Sequence, residues 1–492
     1  MDNVSYSVYE LDLYALKNKV LELGLKDVVV YGIGNNGYDT YRLLKNLDVN
    51  VLYYVDVKAN SGTKVFFKKN VLSPNEFKEQ YGGEYVIITP AIHETIVKFM
   101  GDIGVSKDKL IIEFYQTETI TIDYGSNKDS IDRSINFDET EPVNPMATIA
   151  TIVYNTPENL FRRAIESILK QSYRNFRYLI VINGATDNSY EIAKEYADLD
   201  KRILLINLDQ NYPWTNEHIL KQIYQNTKGK YWCQLDSDDY YADDFLEKSI
   251  ELAEINEADI VHVRTCLFSA DESYDPMDEG LQYDWHDKYY FNIVHPPCHA
   301  IGHKEIMYKY ARSRICSTFW GKLYSTALMK KYADFLLELK PQDRELYFRL
   351  DIAMTYKVLS MAERVYFSDK VLHFSQYSKK NSTFTLAPIE WLMSLWYTYK
   401  GIKGEMYAYY KEKKARKYSK AFLGIHLVWM VARGGMLENI DSSPYREEII
   451  ENFREMLGDE IFKKILLKKK HYMVEECKQF YADIEKIVQA AQ

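Results

Sequence analysis

Gly229-Lys-Tyr-Trp-Cys-Gln-Leu-Asp-Ser-Asp-Asp-Tyr-Tyr241 is the stretch on which the reading of this chain turns. An apolar run stops at Asp236-Ser237-Asp238-Asp239, and apolar residues resume at helical spacing at Phe245, Leu246, Ile250 and Leu252. Carboxylates crowded at the end of a strand repel one another, and each prefers to stay ionised and hydrated. A divalent cation relieves both problems, because Mg²⁺ or Mn²⁺ takes hard oxygen ligands and in turn binds phosphate. The competing reading is a turn with an Asp N-cap ahead of a helix from Asp243, since Asp favours turns and caps. An EF-hand loop is excluded: Tyr241 stands where its sharp turn needs glycine, and a buried strand precedes the cluster.

Outward from this stretch, the pattern predicts strands over 148–153, 178–182, 203–206 and 231–235. Helices alternate with them over 157–171, from Tyr190, and over 215–225. Such alternation argues for a parallel sheet with ligands at the carboxyl ends of its strands. Three polar clusters, 151–155, 183–187 and 236–239, fall at those ends.

The stretches Thr151-Ile-Val-Tyr-Asn155, Ala164-Ile-Glu-Ser-Ile-Leu-Lys-Gln-Ser-Tyr-Arg-Asn-Phe176, Gly184-Ala-Thr-Asp-Asn-Ser189 and Leu235-Asp-Ser-Asp-Asp239 together resemble the family 2 glycosyltransferases of the GT-A fold. The resemblance is continuous over residues 147–265 and thinner to 385. It implies an inverting transferase that moves a sugar from a nucleotide-sugar donor, with a UDP-sugar favoured. The acceptor implied is a hydroxyl on a bacterial-type surface glycan, glycolipid or protein. Asp236 and Asp238 would hold Mn²⁺ or Mg²⁺ against the donor's diphosphate, with Asp239 orienting them. Thr151, Tyr154, Asn183 and Asp187 would line the nucleoside site.

The resemblance also places the acceptor side. Phe319-Trp-Gly-Lys-Leu-Tyr324 matches the segment that relatives set beneath the acceptor, so Trp320 reads as either a sugar-stacking or a core aromatic. Counting back from Asp369-Lys-Val-Leu-His-Phe374 puts the general base at Asp351, with Asp343 and Glu345 as rivals. His373 is a candidate further ligand of the metal or diphosphate. Two departures stand out: Ile182 replaces the carboxylate that in many relatives contacts the base, and Leu350 replaces the usual Glu before the catalytic Asp. They keep open an alternative of another class, a nucleotide-sugar-binding or assembly protein whose transferase site has decayed.

The N-terminal quarter carries Gly32-Ile-Gly34-Asn-Asn-Gly37 between a strand at 26–31 and a helix. A second strand at 51–55 ends in Asp56. The glycines admit a diphosphate to a helix N-terminus, and Asp56 could take a ribose hydroxyl. The region resembles the small Rossmann-like domains found beside bacterial sugar-transfer enzymes; it reads equally as a nucleotide site or as a docking domain, the latter consistent with a homodimer. A hydride-transfer enzyme is excluded for want of a second half-fold.

The expected fold class is α/β: a GT-A (Rossmann-like) glycosyltransferase domain over 146–386, preceded by a small Rossmann-like domain over 1–116 and a polar linker over 117–145, and followed by a helical C-terminal region over 387–492. Acids outnumber bases 71 to 62, a balance that argues against nucleic acid as a partner. Five scattered Cys without paired spacing fit reduced thiols of a cytoplasmic protein. The longest apolar stretch, 421–432, falls short of the ~20 residues that span a bilayer. Basic runs at 411–420 and 463–470 read as solvated faces or as a peripheral membrane contact.

Overall fold

The computed structural model describes residues 4–11, 13–33, 35–62, 64–90, 93–112, 115–125, 128–269, 289–291, 300–312, 315–377, 388–467 and 474–491. The chain forms two compact units that divide between residues 123 and 124.

In the first unit Lys69–Leu72, Asn50–Val55, Asp27–Tyr31, Val86–Ile88 and Leu110–Ile111 lie side by side in parallel, with Val65–Phe66 antiparallel at one edge. Val28, Val29 and Val30 are all fully buried, as expected of a strand covered on both faces. The helices Leu13–Glu22 and Asn35–Asn46 supply Leu16 and Leu44 to one face. The helices Pro74–Gln80 and Glu94–Asp102 supply Phe77 and Met100 to the other. The start of Pro74–Gln80 is fixed locally: Ser73 and Glu76 form a reciprocal capping box, and Pro74 occupies the first turn. Val4–Leu11 pairs antiparallel with Tyr115–Ile122 as a two-stranded ribbon, of which the sequence shows only the end at 120–122.

The second unit is built on one mixed sheet. Ile203–Leu208, Phe176–Asn183, Ala147–Val153 and Tyr231–Gln234 run parallel in that order. Lys322–Ser325 then pairs antiparallel with Tyr231–Gln234 and with Ile260–Ser269. Arg364–Tyr377 runs parallel to Ile260–Ser269 and carries Tyr240–Tyr241 on its far side. Alternation along Phe176–Asn183 feeds two cores. Tyr178, Ile180 and Ile182 pack with Phe161, Ile192 and Phe245 of the helices Glu158–Leu169, Ser189–Leu199 and Phe245–Asn256. Leu179 and Val181 face the opposite core with Trp232, Tyr332 and Met354. Each such fully buried aliphatic side chain contributes about 1.5–3 kcal/mol, so one strand anchors both layers.

The polar segment 117–145 divides between the units. Its part from residue 128 straps onto the second: buried Glu166 accepts from Lys128, from the Asp132 N–H and from Tyr196. The C-terminal helices Pro388–Tyr409, Glu412–Arg433, Arg446–Gly458, Glu460–Leu466 and Val474–Ala490 place Trp396, Phe422, Phe453, Phe462 and Ile484 in the same core as Trp232. Periodicity predicts a break between 399 and 406; instead one helix continues to Tyr409. Among the described residues no helix is long and apolar enough to cross a membrane.

Candidate functional site

Three loops at neighbouring parallel strand ends are tied together by side chains. After Ala147–Val153 the chain turns through Asn155, whose Oδ1 accepts the Thr186 N–H at 2.8 Å. Thr156 Oγ1 lies 2.6 Å from Ser237 Oγ and so joins the same loop to the acidic one. The Asn183–Asp187 loop, the 154–156 turn and the Asp236–Asp239 loop therefore form one surface.

Asp236-Ser237-Asp238 follow Tyr231–Gln234 and keep part of their surface open, whereas Asp239 is buried. Asp236 Oδ1 accepts from Gln234 Nε2 at 2.9 Å, and Asp239 Oδ1 accepts the Gln376 N–H at 2.9 Å. Arg163 Nη2 donates to the Asp238 carbonyl at 2.6 Å and fixes the turn's path. Burial and the neighbouring charges of Asp239 and Asp236 push the Asp238 carboxyl up to about 8. Burial raises Asp236, and burial with the charge of Asp236 holds Asp239 well above the carboxylate range. The helix that follows starts at Phe245 with Asp244 as its N-cap, and that cap makes no side-chain hydrogen bond. None of Asp236, Asp238 and Asp239 caps that helix, so helix capping does not account for the acidic cluster.

His373, from Arg364–Tyr377, closes the cluster from behind. Its Nδ1 meets Thr265 Oγ1 at 3.1 Å; its Nε2 is 3.4 Å from Asp239 Oδ2 and buried without a hydrogen-bond partner. Burial pulls its pKa down to about 3, so the ring is neutral and able to act as a ligand. These residues fit a dication: crowded acids, a neutral imidazole nitrogen and an unpartnered buried Gln234 Oε1 are hard or borderline donors lacking a positive partner. Among the described residues no three His, Cys, Asp or Glu side chains form a ready-made cage.

Asp351 opens the helix Asp351–Met361. Its Oδ2 accepts the Phe319 N–H at 3.2 Å, and its carboxyl is pushed up to about 7 by burial and by the charge of Asp236. The fold thus brings Asp351 within electrostatic reach of the acidic loop. Trp320 is half-buried, with its ring centroid 5.0 Å from that of His373.

Other expected residues have different surroundings. Thr151 is fully buried inside the sheet and accepts from Tyr178 OH at 3.1 Å, so its hydroxyl points away from the open loops. Tyr154 is exposed. Asp187 Oδ1 accepts the Ser189 N–H at the start of a helix. Asn183 is a latch: its amide donates to Asn211 Oδ1 at 2.9 Å and to Tyr212 O at 2.8 Å, while its Oδ1 accepts the Tyr212 N–H at 3.0 Å. Next to it Gly184 has φ +68° and a Cβ there would sit 2.2 Å from Gln210 C. Gly184→Ala is expected to destabilise the unit by about 2 kcal/mol or more, read as a lowered urea midpoint. An unchanged midpoint would show that the latch loop moves freely. Rivals of Asp351 are engaged elsewhere or lie on another helix: Glu345 accepts from Tyr445 OH, and Asp343 sits in the first turn of Pro341–Tyr347.

Sequence reasoning missed Arg163, Gln234 and Ser237. Arg163 is one of three charged residues, with Arg162 and Glu166, buried on Glu158–Leu169.

In the first unit Gly32 has φ +106°, and a Cβ on Gly37 would lie 2.2 Å from Gly32 O, the close helix-to-turn approach expected of such glycines. Gly34 lies outside the described residues. Asp56 is already engaged: Oδ2 accepts the Ile33 N–H at 3.0 Å and Oδ1 the Lys58 N–H at 2.8 Å. Its carboxylate shapes the glycine turn itself.

Residues 148–315 match the profile of the family described as Glycosyl transferase family 2. Glycosyltransferase GlyA of Streptococcus pneumoniae is 27% identical over 47% of this chain and 30% of its own length. An uncharacterized glycosyltransferase of Methanocaldococcus jannaschii is 30% identical over 31% of this chain and 54% of its own. The chain therefore spans well under two thirds of either relative. The crystal structure of S. aureus TarS 1-349 aligns with a TM-score of 0.43 at 16% identity, over 70% of this chain and 92% of that one. The loops joined at parallel strand ends, with the acidic turn among them, lie within residues 148–315, the span that matches glycosyl transferase family 2.

Proposed function

We propose that the chain is an inverting glycosyltransferase that uses a divalent metal and a nucleotide-sugar donor, with a UDP-sugar favoured. The proposed acceptor is a hydroxyl of a surface glycan, glycolipid or protein. The observation that carries this reading is the convergence of Asp351 on the acidic loop. Asp351 Oδ2 accepts the Phe319 N–H, the adjacent Trp320 ring lies 5.0 Å from that of His373, and His373 Nε2 is 3.4 Å from Asp239 Oδ2 of that loop.

Asp236, Asp238 and His373 would hold Mn²⁺ or Mg²⁺, which supplies charge neutralisation of the departing diphosphate. Asp351 takes the acceptor hydroxyl's proton as that oxygen bonds to the anomeric carbon. The sugar–diphosphate C–O bond breaks with its electron pair leaving on the diphosphate. Attack opposite the leaving group inverts the anomeric centre. Asp351 is held for this by Phe319 N–H, and Trp320 is close enough to His373 to offer a stacking face beside the reacting sugar. For the first unit we propose docking as its primary role, because Asp56 spends both oxygens on backbone amides.

Incubation with Mn²⁺ and a panel of UDP-, GDP- and dTDP-sugars tests the reading by release of nucleoside diphosphate. Turnover with one donor, abolished by EDTA, is expected. A panel that is inert throughout while one donor still binds would replace it with the decayed-site alternative, to which Ile182 and Leu350 point.

A further inference from the structure

Resting on the assignment of Asp351 as base, we propose that Lys322 is a positioning residue, which sets Asp351 and Trp320 by clamping the turn 318–321. Lys322 belongs to Lys322–Ser325 and is 1% exposed. An ammonium at such a core position is costly unless its donors are satisfied, and an apolar residue would serve packing as well. Lys322 Nζ donates to Thr318 O at 2.6 Å and reaches Trp320 O at 3.4 Å. Phe319 O, between them, accepts from Tyr324 OH at 2.7 Å. Three successive carbonyls are thus held from one strand, two by a single ammonium.

The turn in turn grips the catalytic helix. Phe319 N–H donates to Asp351 Oδ2, and one turn later Thr355 Oγ1 donates to Thr318 O at 2.9 Å. Trp320 projects from the same turn toward His373. Lys322 and Asp351 form no direct ion pair among the described residues; each feels the other's charge, and their mechanical link runs through this backbone. His262, opposite Lys322 in the strand register, has neither ring nitrogen hydrogen-bonded and does not draw the ammonium away. Burial lowers the Lys322 pKa only to about 8, which leaves the donor form dominant at neutral pH. Lysine is the residue that can do this: three donors on a flexible stem reach two carbonyls at once.

Lys322→Met keeps the volume and removes the donors. Two readouts are compared with the parent protein, together with the thermal midpoint as a check on folding: amide hydrogen exchange at Phe319, and Mn²⁺-dependent release of nucleoside diphosphate from the turned-over donor. Expected are about tenfold faster exchange at Phe319 and a kcat lower by roughly 100-fold, with the donor KM within about twofold. Adding Lys322→Met to Asp351→Asn should cost nothing further, because one residue acts through the other. Additive losses, or a loss carried by KM, would overturn the proposal, as would unchanged Phe319 exchange. If Lys322→Met does not fold, Tyr324→Phe removes the neighbouring hold and should shift exchange and kcat the same way by less; no shift overturns the clamp. Should no donor turn over, Phe319 exchange alone decides the clamp. Faster exchange in Lys322→Met beside unchanged turnover in Asp351→Asn would remove the base and leave the clamp standing.

Discussion

Asp238→Ala is expected to lower turnover by about three orders of magnitude, the scale of losing a metal's several kcal/mol of charge stabilisation. The same position should behave oppositely in stability. In the metal-free protein Asp238 is pushed up to about 8 by burial and by Asp239 and Asp236, so the folded state keeps a proton that the unfolded chain has lost from about pH 4 upward. Because the folded state binds more protons across that window, metal-free stability falls as pH rises from about 4 to about 8, by up to about 1.4 kcal/mol per pH unit for this one group. Asp238→Asn keeps the shape and removes the titration, so its thermal midpoint in EDTA should exceed the parent's at pH 7.5 and match it near pH 4. Saturating Mn²⁺, at about 100 times its Kd, should raise the parent by about 2.7 kcal/mol and the variant far less. A variant that is less stable at pH 7.5 and still responds fully to Mn²⁺ would remove Asp238 from the metal site.

The parts of the fold legible in the sequence are those whose partners are local. The alternation from 148 to 235 placed each strand end and its polar loop, since parallel strands buried on both faces leave continuous apolar runs such as Tyr178–Ile182. Val4–Leu11 was hidden because its partner Tyr115–Ile122 lies at the far end of the unit. Arg364–Tyr377 was only partly visible: Asp369 and Lys370 interrupt its apolar pattern, and the register with Ile260–Ser269 slips near Arg264. Gly401, inside Pro388–Tyr409, is there for space, with Tyr356 OH 2.1 Å from where a Cβ would be. In the site, the acids were legible by their crowding. The supports were not, because a carbonyl held by Arg163 or Lys322 leaves no mark in spacing. Thr151 and Asn183 read as ligands because sequence cannot tell a hydroxyl turned into the sheet, or an amide latched to Tyr212, from one facing a substrate.

Asp351→Asn is expected to cost about 10²–10⁴ in kcat while donor binding stays near the parent's, since the amide keeps the shape and the Phe319 contact but cannot take a proton. The rival on the neighbouring helix gives the control: Asp343→Asn should leave turnover unchanged, because that carboxylate sits in the first turn of a different helix. The pH profile separates a base from a mere structural acid. With its pKa near 7, raised by burial and by Asp236, Asp351 is competent only when deprotonated, so the rate should climb about tenfold per unit below pH 7 and level off above it. Metal held at Asp236 offsets the charge that lifts Asp351, so saturating Mn²⁺ should move this limb to lower pH. The limb should vanish in Asp351→Asn. If it persists there with kcat unchanged, the proton goes to another group, and the convergence of Asp351 on the acidic loop serves packing alone.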